Sequence, residues 1–232
     1  MDMPRKFNLH CIILGPAGSG KSLLTARFGA FLRKEGYSVK SVNLDPGVVS
    51  LSYEYDFDIR KKFTVERIMR KEGLGPNGAM IRTMDLLGQT KIPKLTGDFI
   101  LVDTPGQLEI FVFHASGPKI VDQFNRLVGI FIIDSSIGFS DLPAAYLYSL
   151  AARYRLGINA INILNKVDLL DERELERIRT YLLNPTTFEK EAKLKGVLSD
   201  LYLPLSDLLR RVVPAQRIPL VSAETGRGFD EL

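Results

Sequence analysis

Tryptophan is missing from the 232 residues, cysteine occurs once and histidine twice. A single cysteine closes no internal disulfide, which excludes the sulfur-stapled frameworks of small secreted domains and points to a reducing compartment. His10 and His114 are isolated from each other, and no Cys and His pair has the spacing of a zinc or nickel site. Cys11, inside an apolar run, reads as a small buried hydrophobe. A membrane span needs roughly 18 apolar residues, and the longest run, Leu127 to Ile133, has seven, one of them glycine. No charged, then apolar, then small-residue leader opens the chain, so a cytoplasmic location away from membranes is expected. There is no excess of one charge either. The 31 Lys and Arg against 27 Asp and Glu leave a net charge of +4, a mixed surface without the one-sign field of a nucleic-acid binder.

What is present suits one sizeable core. Hydrophobic residues make up 45% of the chain, and its length fits a single domain over 1–232. Short apolar, β-rich runs recur at Cys11–Leu14, Val39–Leu44, Phe99–Val102, Leu127–Ile133, Ala160–Leu164 and Ile218–Val221. Each is too short for a buried helix and too continuous for a half-exposed strand, the pattern of a parallel sheet covered on both faces. Helical patterns alternate with them. Lys21–Glu35 stops at Gly36, Thr64–Glu72 stops at Gly73, and Ala79–Leu87, Leu142–Tyr154 and Glu172–Leu183 follow. The expected fold is α/β, three layers built on a mainly parallel sheet. A Leu-rich, charge-mixed stretch at about 184–214 is expected to be a helical insertion before the last strand, placed as a lid. The six acids and six bases between Asp171 and Lys195 read as solvated helix faces. Thr225 to Leu232 reads as the first turn of a helix continuing past this sequence.

Directly after the first strand comes Gly15-Pro16-Ala17-Gly18-Ser19-Gly20-Lys21-Ser22, opening the first helix. This is the complete G-x-x-x-x-G-K-[ST] pattern in its strand, loop, helix setting. The glycines let backbone N–H groups turn inward, and the helix N-terminus adds its dipole toward a phosphate. Lys21 offers a point charge to the β and γ phosphates and Ser22 a hydroxyl to Mg²⁺.

The third strand runs into Asp103-Thr-Pro-Gly106-Gln107-Leu-Glu109. A carboxylate at a strand end beside the phosphate loop suits the magnesium, held through water, which makes Asp103 a metal residue. Gly106 lets its N–H approach a γ-phosphate. Gln107 can orient the attacking water, and Glu109 can order Gln107 or accept a proton. Asp45, in Asn-Leu-Asp-Pro at the end of a second strand expected beside the first, can hold a magnesium-bound water or polarise the nucleophile. The alternative for Asp45 is an ordinary Asp-Pro turn.

The fifth strand ends in Asn165-Lys166-Val-Asp168. A carboxylate accepts two parallel hydrogen bonds from guanine N1–H and N2–H₂, and adenine would leave Asp168 unpaired, a mismatch worth about 10⁴ in discrimination. Lys166 can lay its stem over the base, and Asn165 can tie this loop to the phosphate loop. Ser222 and Ala223, after the sixth strand, can offer an N–H to guanine O6.

In this order the motifs resemble the P-loop GTPases. Gly75-Pro76-Asn77, lying between the second strand and Asp103, narrows the match: the sequence resembles the GPN-loop GTPases, named for that tripeptide in an insertion at about 64–90. The resemblance implies Mg²⁺-dependent hydrolysis of GTP to GDP and phosphate in a homodimer of the compact, archaeal type. It implies that the GPN loop reaches the partner's nucleotide site in trans, with Gly75 and Pro76 shaping a stiff protruding turn and Asn77 completing the catalytic group of Lys21, Asp45, Gln107 and Glu109. It also implies a dimeric switch serving a protein client, as in assembly of a complex such as RNA polymerase. Two alternatives stand beside this reading: a nucleotide-gated chaperone or scaffold with little turnover, and a phosphotransferase acting on a small acceptor, which a guanine site argues against. The basic stretch Arg60, Lys61, Lys62, Arg67, Arg70 and Lys71 reads as a solvated face.

Overall fold

A computed structural model describes residues 7–137, 141–183, 204 and 218–232. Almost all of the insertion expected at 184–214 lies outside the described residues. Six parallel strands form one sheet: β1 (Leu9–Leu14), β2 (Val39–Asn43), β3 (Phe57–Asp58), β4 (Phe99–Asp103), β5 (Leu127–Asp134) and β6 (Ala160–Asn165), in the order β3-β2-β4-β1-β5-β6. The helices are α1 (Lys21–Lys34), α2 (Val65–Glu72), α3 (Pro76–Gln89), α4 (Leu108–Phe113), α5 (Ser116–Val121), α6 (Leu142–Leu156) and α7 (Glu172–Leu183).

Successive strand residues face opposite sides, and each side has its own core. Ile12, Leu14, Val42, Ile100, Val102, Phe131 and Ile133 pack on the side that receives Ala79, Met84 and Leu87 of α3, Phe111 of α4 and Ile120 of α5. Cys11, Ile13, Leu101, Ile130 and Ile132 pack on the other side against Leu24, Phe28 and Leu32, one face of α1. Phe229, in a 3₁₀ turn at Phe229–Glu231, closes this second layer with its ring edge-on to Phe28 at 5.5 Å between centroids. Cys11 is buried, and desolvation pushes its thiol up to about 12, which leaves it an inert hydrophobe.

Several expectations change here. β2 does not neighbour β1, because β4 lies between them. Ile100 to Asp103 are buried without interruption, which suits a central strand, whereas Lys40 interrupts β2 and pairs with Asp56 on the edge side. The two-residue β3 and the six-residue helices α4 and α5 were not expected; all are too short for a repeating pattern to show. The last strand is reduced to one parallel bridge between Leu164 and Leu220. Gly75 and Pro76 stand at the exposed junction of α2 and α3, where the expected turn passes at once into helix. Gly75 is the N-cap of α3 and Pro76 its first residue, and Ala79 N–H donates to Gly75 O at 2.9 Å. A proline that lacks an N–H and has a fixed φ starts a helix at no cost, so Asn77 sits in the first helical turn at the tip of the α2–α3 hairpin. Arg60 departs from the solvated basic face: it grips Asp58 with Nε and Nη2 at 2.7–3.1 Å.

Candidate active site

The carboxyl ends of β2, β4, β1, β5 and β6 bring every sequence motif except Gly75-Pro76-Asn77 to one edge of the sheet. From Gly15 to Ser22 the chain passes from β1 into α1. Gly20, the N-cap of α1, has φ 97°, and a Cβ on it would stand 2.6 Å from Asn165 Nδ2, so only glycine fits. Ala17 and Gly18 are exposed at the mouth, while Ser19 is buried with its Oγ unpartnered. Lys21 is only 6% exposed, and its Nζ donates to Gly15 O at 2.8 Å, Pro16 O at 3.0 Å and Gly106 O at 3.2 Å. Burial pulls its ammonium below the usual lysine range, against the opposing pull of Asp103, Asp45 and Glu109. The three carbonyls supply Lys21 with the kind of oxygen partner that a phosphate offers.

Asp45 and Asp103 flank this ammonium. Asp45 Oδ1 accepts the N–H of Gly47 at 2.7 Å and Oδ2 the N–H of Gly106 at 3.0 Å. The Gly106 amide expected to meet a γ-phosphate is therefore bound to Asp45 here. Desolvation raises the Asp45 carboxyl above its usual range, opposed by those two amides and by Lys21. Asp103 is fully buried, and burial raises it to about 6 against the Ser22 and Tyr53 hydroxyls. Its Oδ2 accepts from Tyr53 Oη at 2.9 Å, and its Oδ1 has no partner. Ser22, half-buried in the first turn of α1, lies beside it.

Behind Asp45 stands a buried network that the sequence did not reveal. Asn43 Oδ1 accepts the Asp45 N–H at 3.0 Å, and Asn43 Nδ2 donates to Asp45 O at 3.2 Å and to Asp58 Oδ1 at 2.8 Å. Arg60, which holds Asp58, also donates to Val48 O at 3.3 Å and Val49 O at 3.0 Å. The loop after β2 is thereby fixed at both ends. The α2–α3 hairpin closes over it: Val65 N–H donates to Pro46 O at 3.1 Å, and a Cβ on Gly47 would stand 3.7 Å from Met80 Cε.

Gln107, the N-cap of α4, is exposed and makes no hydrogen bond among the described residues through its side chain. Glu109 is exposed too, and it accepts from Tyr148 Oη of α6 at 3.0 Å rather than ordering Gln107. Asn77 is exposed at the hairpin tip, well placed to meet another molecule.

At the base side, Asn165 Nδ2 donates to Ser19 O at 2.9 Å, and its Oδ1 accepts the Ala223 N–H at 2.9 Å. One buried side chain thus ties together the phosphate loop, the Asn165–Asp168 loop and the Ser222–Ala223 turn. The Ser222 N–H donates to Arg227 O at 3.0 Å. Both amides expected to meet guanine O6 are therefore engaged, and Glu224 supplies the next one in the turn. Lys166, at φ 67°, extends its Nζ to Asp134 Oδ2 at 2.6 Å, and Asp168 is exposed at the rim. Asp134 was missed, although it ends β5 as a strand-terminal carboxylate, the same signal that marks Asp103. Tyr53 and Tyr148 carry no local signal at all.

A family profile described as a conserved hypothetical ATP-binding protein matches residues 13–232. GPN-loop GTPase 1 of Dictyostelium discoideum is 28% identical over 96% of this chain, which spans 59% of that protein's length. The GPN-loop GTPase PAB0955 of Pyrococcus abyssi is 38% identical over 95% of this chain and 93% of its own. The crystal structure of PAB0955, a GTPase in apo form, superposes with a TM-score of 0.84 over 97% of this chain and 94% of that one, at 34% identity. Identity at that level across nearly the whole of both chains settles the family: this protein is a GPN-loop GTPase, a P-loop protein that binds and hydrolyses GTP.

Proposed function

We propose that the chain is a Mg²⁺-dependent, cytoplasmic, homodimeric switch that turns GTP and water into GDP and phosphate and presents a different face to a protein client in each nucleotide state. The observation that carries this reading is the double grip on Gly106, whose N–H is bound by Asp45 and whose carbonyl is bound by Lys21. A γ-phosphate offers oxygen to both Lys21 and the Gly106 amide. Once Gly106 turns to it, the Asp45 carboxylate is released beside the scissile end, where it can accept a proton from the attacking water while Gln107 orients it. Asn77 of a second subunit would add a donor at the same end.

The residues present fit Mg²⁺. One buried carboxylate, Asp103, and one half-buried carboxylate, Asp45, face one ammonium, and Asp103, beside Ser22, keeps an unpartnered oxygen. Among the described residues no three His, Cys, Asp or Glu side chains cluster to cage a metal, which suits an ion bound chiefly by phosphates, one hydroxyl and one carboxylate. Asp45 is the weaker ligand, since backbone amides occupy both its oxygens. When bound, Mg²⁺ neutralises charge on the β and γ phosphates. No helix among the described residues is long and apolar enough to cross a membrane.

Turnover of GTP and ATP in parallel, with Mg²⁺ and in EDTA, tests this reading. GTP is expected to exceed ATP by about 10² or more in kcat/KM, because adenine leaves Asp168 without its two donors, and the rate is expected to collapse in EDTA. Equal rates on the two nucleotides overturn the guanine assignment, and an undiminished rate in EDTA overturns the metal.

A further inference from the structure

Tyr53 lies in the second half of the loop from β2 to β3, 50 positions before the carboxylate it touches. The loop is pinned on either side of it. Arg60 holds the carbonyls of Val48 and Val49, and Asp56 pairs backbone to backbone with Ser41 at 2.8 Å while its Oδ2 accepts the Ser41 N–H at 2.9 Å. Between these anchors the phenol is delivered onto Asp103 Oδ2 at 2.9 Å. The phenol O–H is the donor of this bond, and the carboxylate oxygen accepts it. Asp103 therefore has one oxygen fixed and the other buried without a partner, with Ser22 beside the carboxyl group. A buried carboxylate oxygen without a partner costs free energy unless something arrives to use it, and a carboxylate with one fixed oxygen cannot turn away from what arrives.

We infer that Tyr53 is a positioning residue for the metal site, locking the Asp103 carboxylate so that its free oxygen is presented to Mg²⁺ or to a water on it. The inference rests on the proposal that Ser22 and Asp103 hold that ion. It goes beyond that proposal in making the loop after β2 a sensor of metal occupancy: an ion drawing on Asp103 pulls on Tyr53, and Tyr53 on the segment that carries Asp45.

The test is the release of bound GDP as a function of free Mg²⁺, in the parent chain and in Tyr53→Phe, which keeps the ring and removes only the hydroxyl. Loss of a hydrogen bond to a charged group is expected to raise the Mg²⁺ concentration for half-maximal retention about tenfold, with GDP affinity in EDTA unchanged. In the Asp103→Asn background the same change is expected to shift nothing further. A Tyr53→Phe curve that overlies the parent's overturns the inference, as does an equal loss of GDP affinity with and without Mg²⁺, which would mark a purely structural role. A parent chain whose GDP release ignores Mg²⁺ would instead remove the metal reading itself, and this inference with it.

Discussion

Asp45 Oδ2 accepts the Gly106 N–H at 3.0 Å, joining two loops 61 positions apart at the place where a terminal phosphate must bind. The carboxylate and the phosphate compete for one donor, so Asp45 should both oppose binding and serve turnover. Asp45→Asn is expected to tighten a non-hydrolysable GTP analogue several-fold, because a neutral amide competes less well, while kcat falls by about 10². Analogue titration together with single-turnover kinetics measures both. Weaker analogue binding in this variant would contradict the competition.

Arg60 and Asp58 give the loop its rigidity, with Asp58 only 3% exposed. Removing the guanidinium strands a buried carboxylate, so Arg60→Ala is expected to cost about 2 to 4 kcal/mol in denaturant unfolding. Burial alone would raise the Asp58 carboxyl, but hydrogen bonds from Arg60 and Asn43 outweigh it and hold the group below its usual range. A folded value below the unfolded one stabilises above the ordinary carboxylate pKa, and that contribution is lost as pH falls through the lowered value. The difference between parent and variant should thus be flat near neutrality and shrink on acidification, because the carboxyl stranded in the variant takes up its proton at a higher pH than the parent's.

Asn165 joins three loops with two hydrogen bonds. Asn165→Ala leaves Ser19 O and the Ala223 N–H unpaired in the interior, which should cost about 2 to 3 kcal/mol of stability and at least tenfold in GDP affinity. Thermal unfolding with and without GDP separates the two effects. An unchanged GDP affinity would mean that the loops hold their places without this bridge.

The exposed position of Asn77 invites a mixing experiment. Lys21→Ala and Asn77→Ala subunits should each be inactive alone. A heterodimer of the two has one site with both Lys21 and a partner's Asn77, so an equal mixture should regain about a quarter of parental turnover if subunits exchange freely. A mixture as inactive as its parents would rule out delivery in trans.

Much of this was legible from local signals. Gly15 to Ser22 declares itself because a phosphate-cradling turn requires glycine where φ is positive, and Cys11–Leu14 and Leu127–Ile133 read as strands because both their faces are buried. The order of strands could not be read, since pairing of β4 with both β1 and β2 is decided by long-range packing. Tyr53 and Tyr148 act on carboxylates 50 and 39 positions away, and nothing near either in sequence marks it. Arg60 misleads for a different reason: set among lysines and arginines it reads as surface, and only the burial of Asp58 two residues before it shows otherwise.

Met80 lies one helical turn beyond Asn77 and packs toward Gly47, the residue whose N–H holds Asp45. In a dimer that exchanges hairpin tips, seating Asn77 in the neighbouring site loads the same helix that rests on the donor's own Asp45 loop. The two nucleotide sites would then be linked, and linkage is reciprocal: whatever factor GTP in one subunit imposes on binding in the other is imposed in return. Binding curves for such a pair should depart from independent sites, and loosening the contact, as in Met80→Ala, should bring them back toward independence.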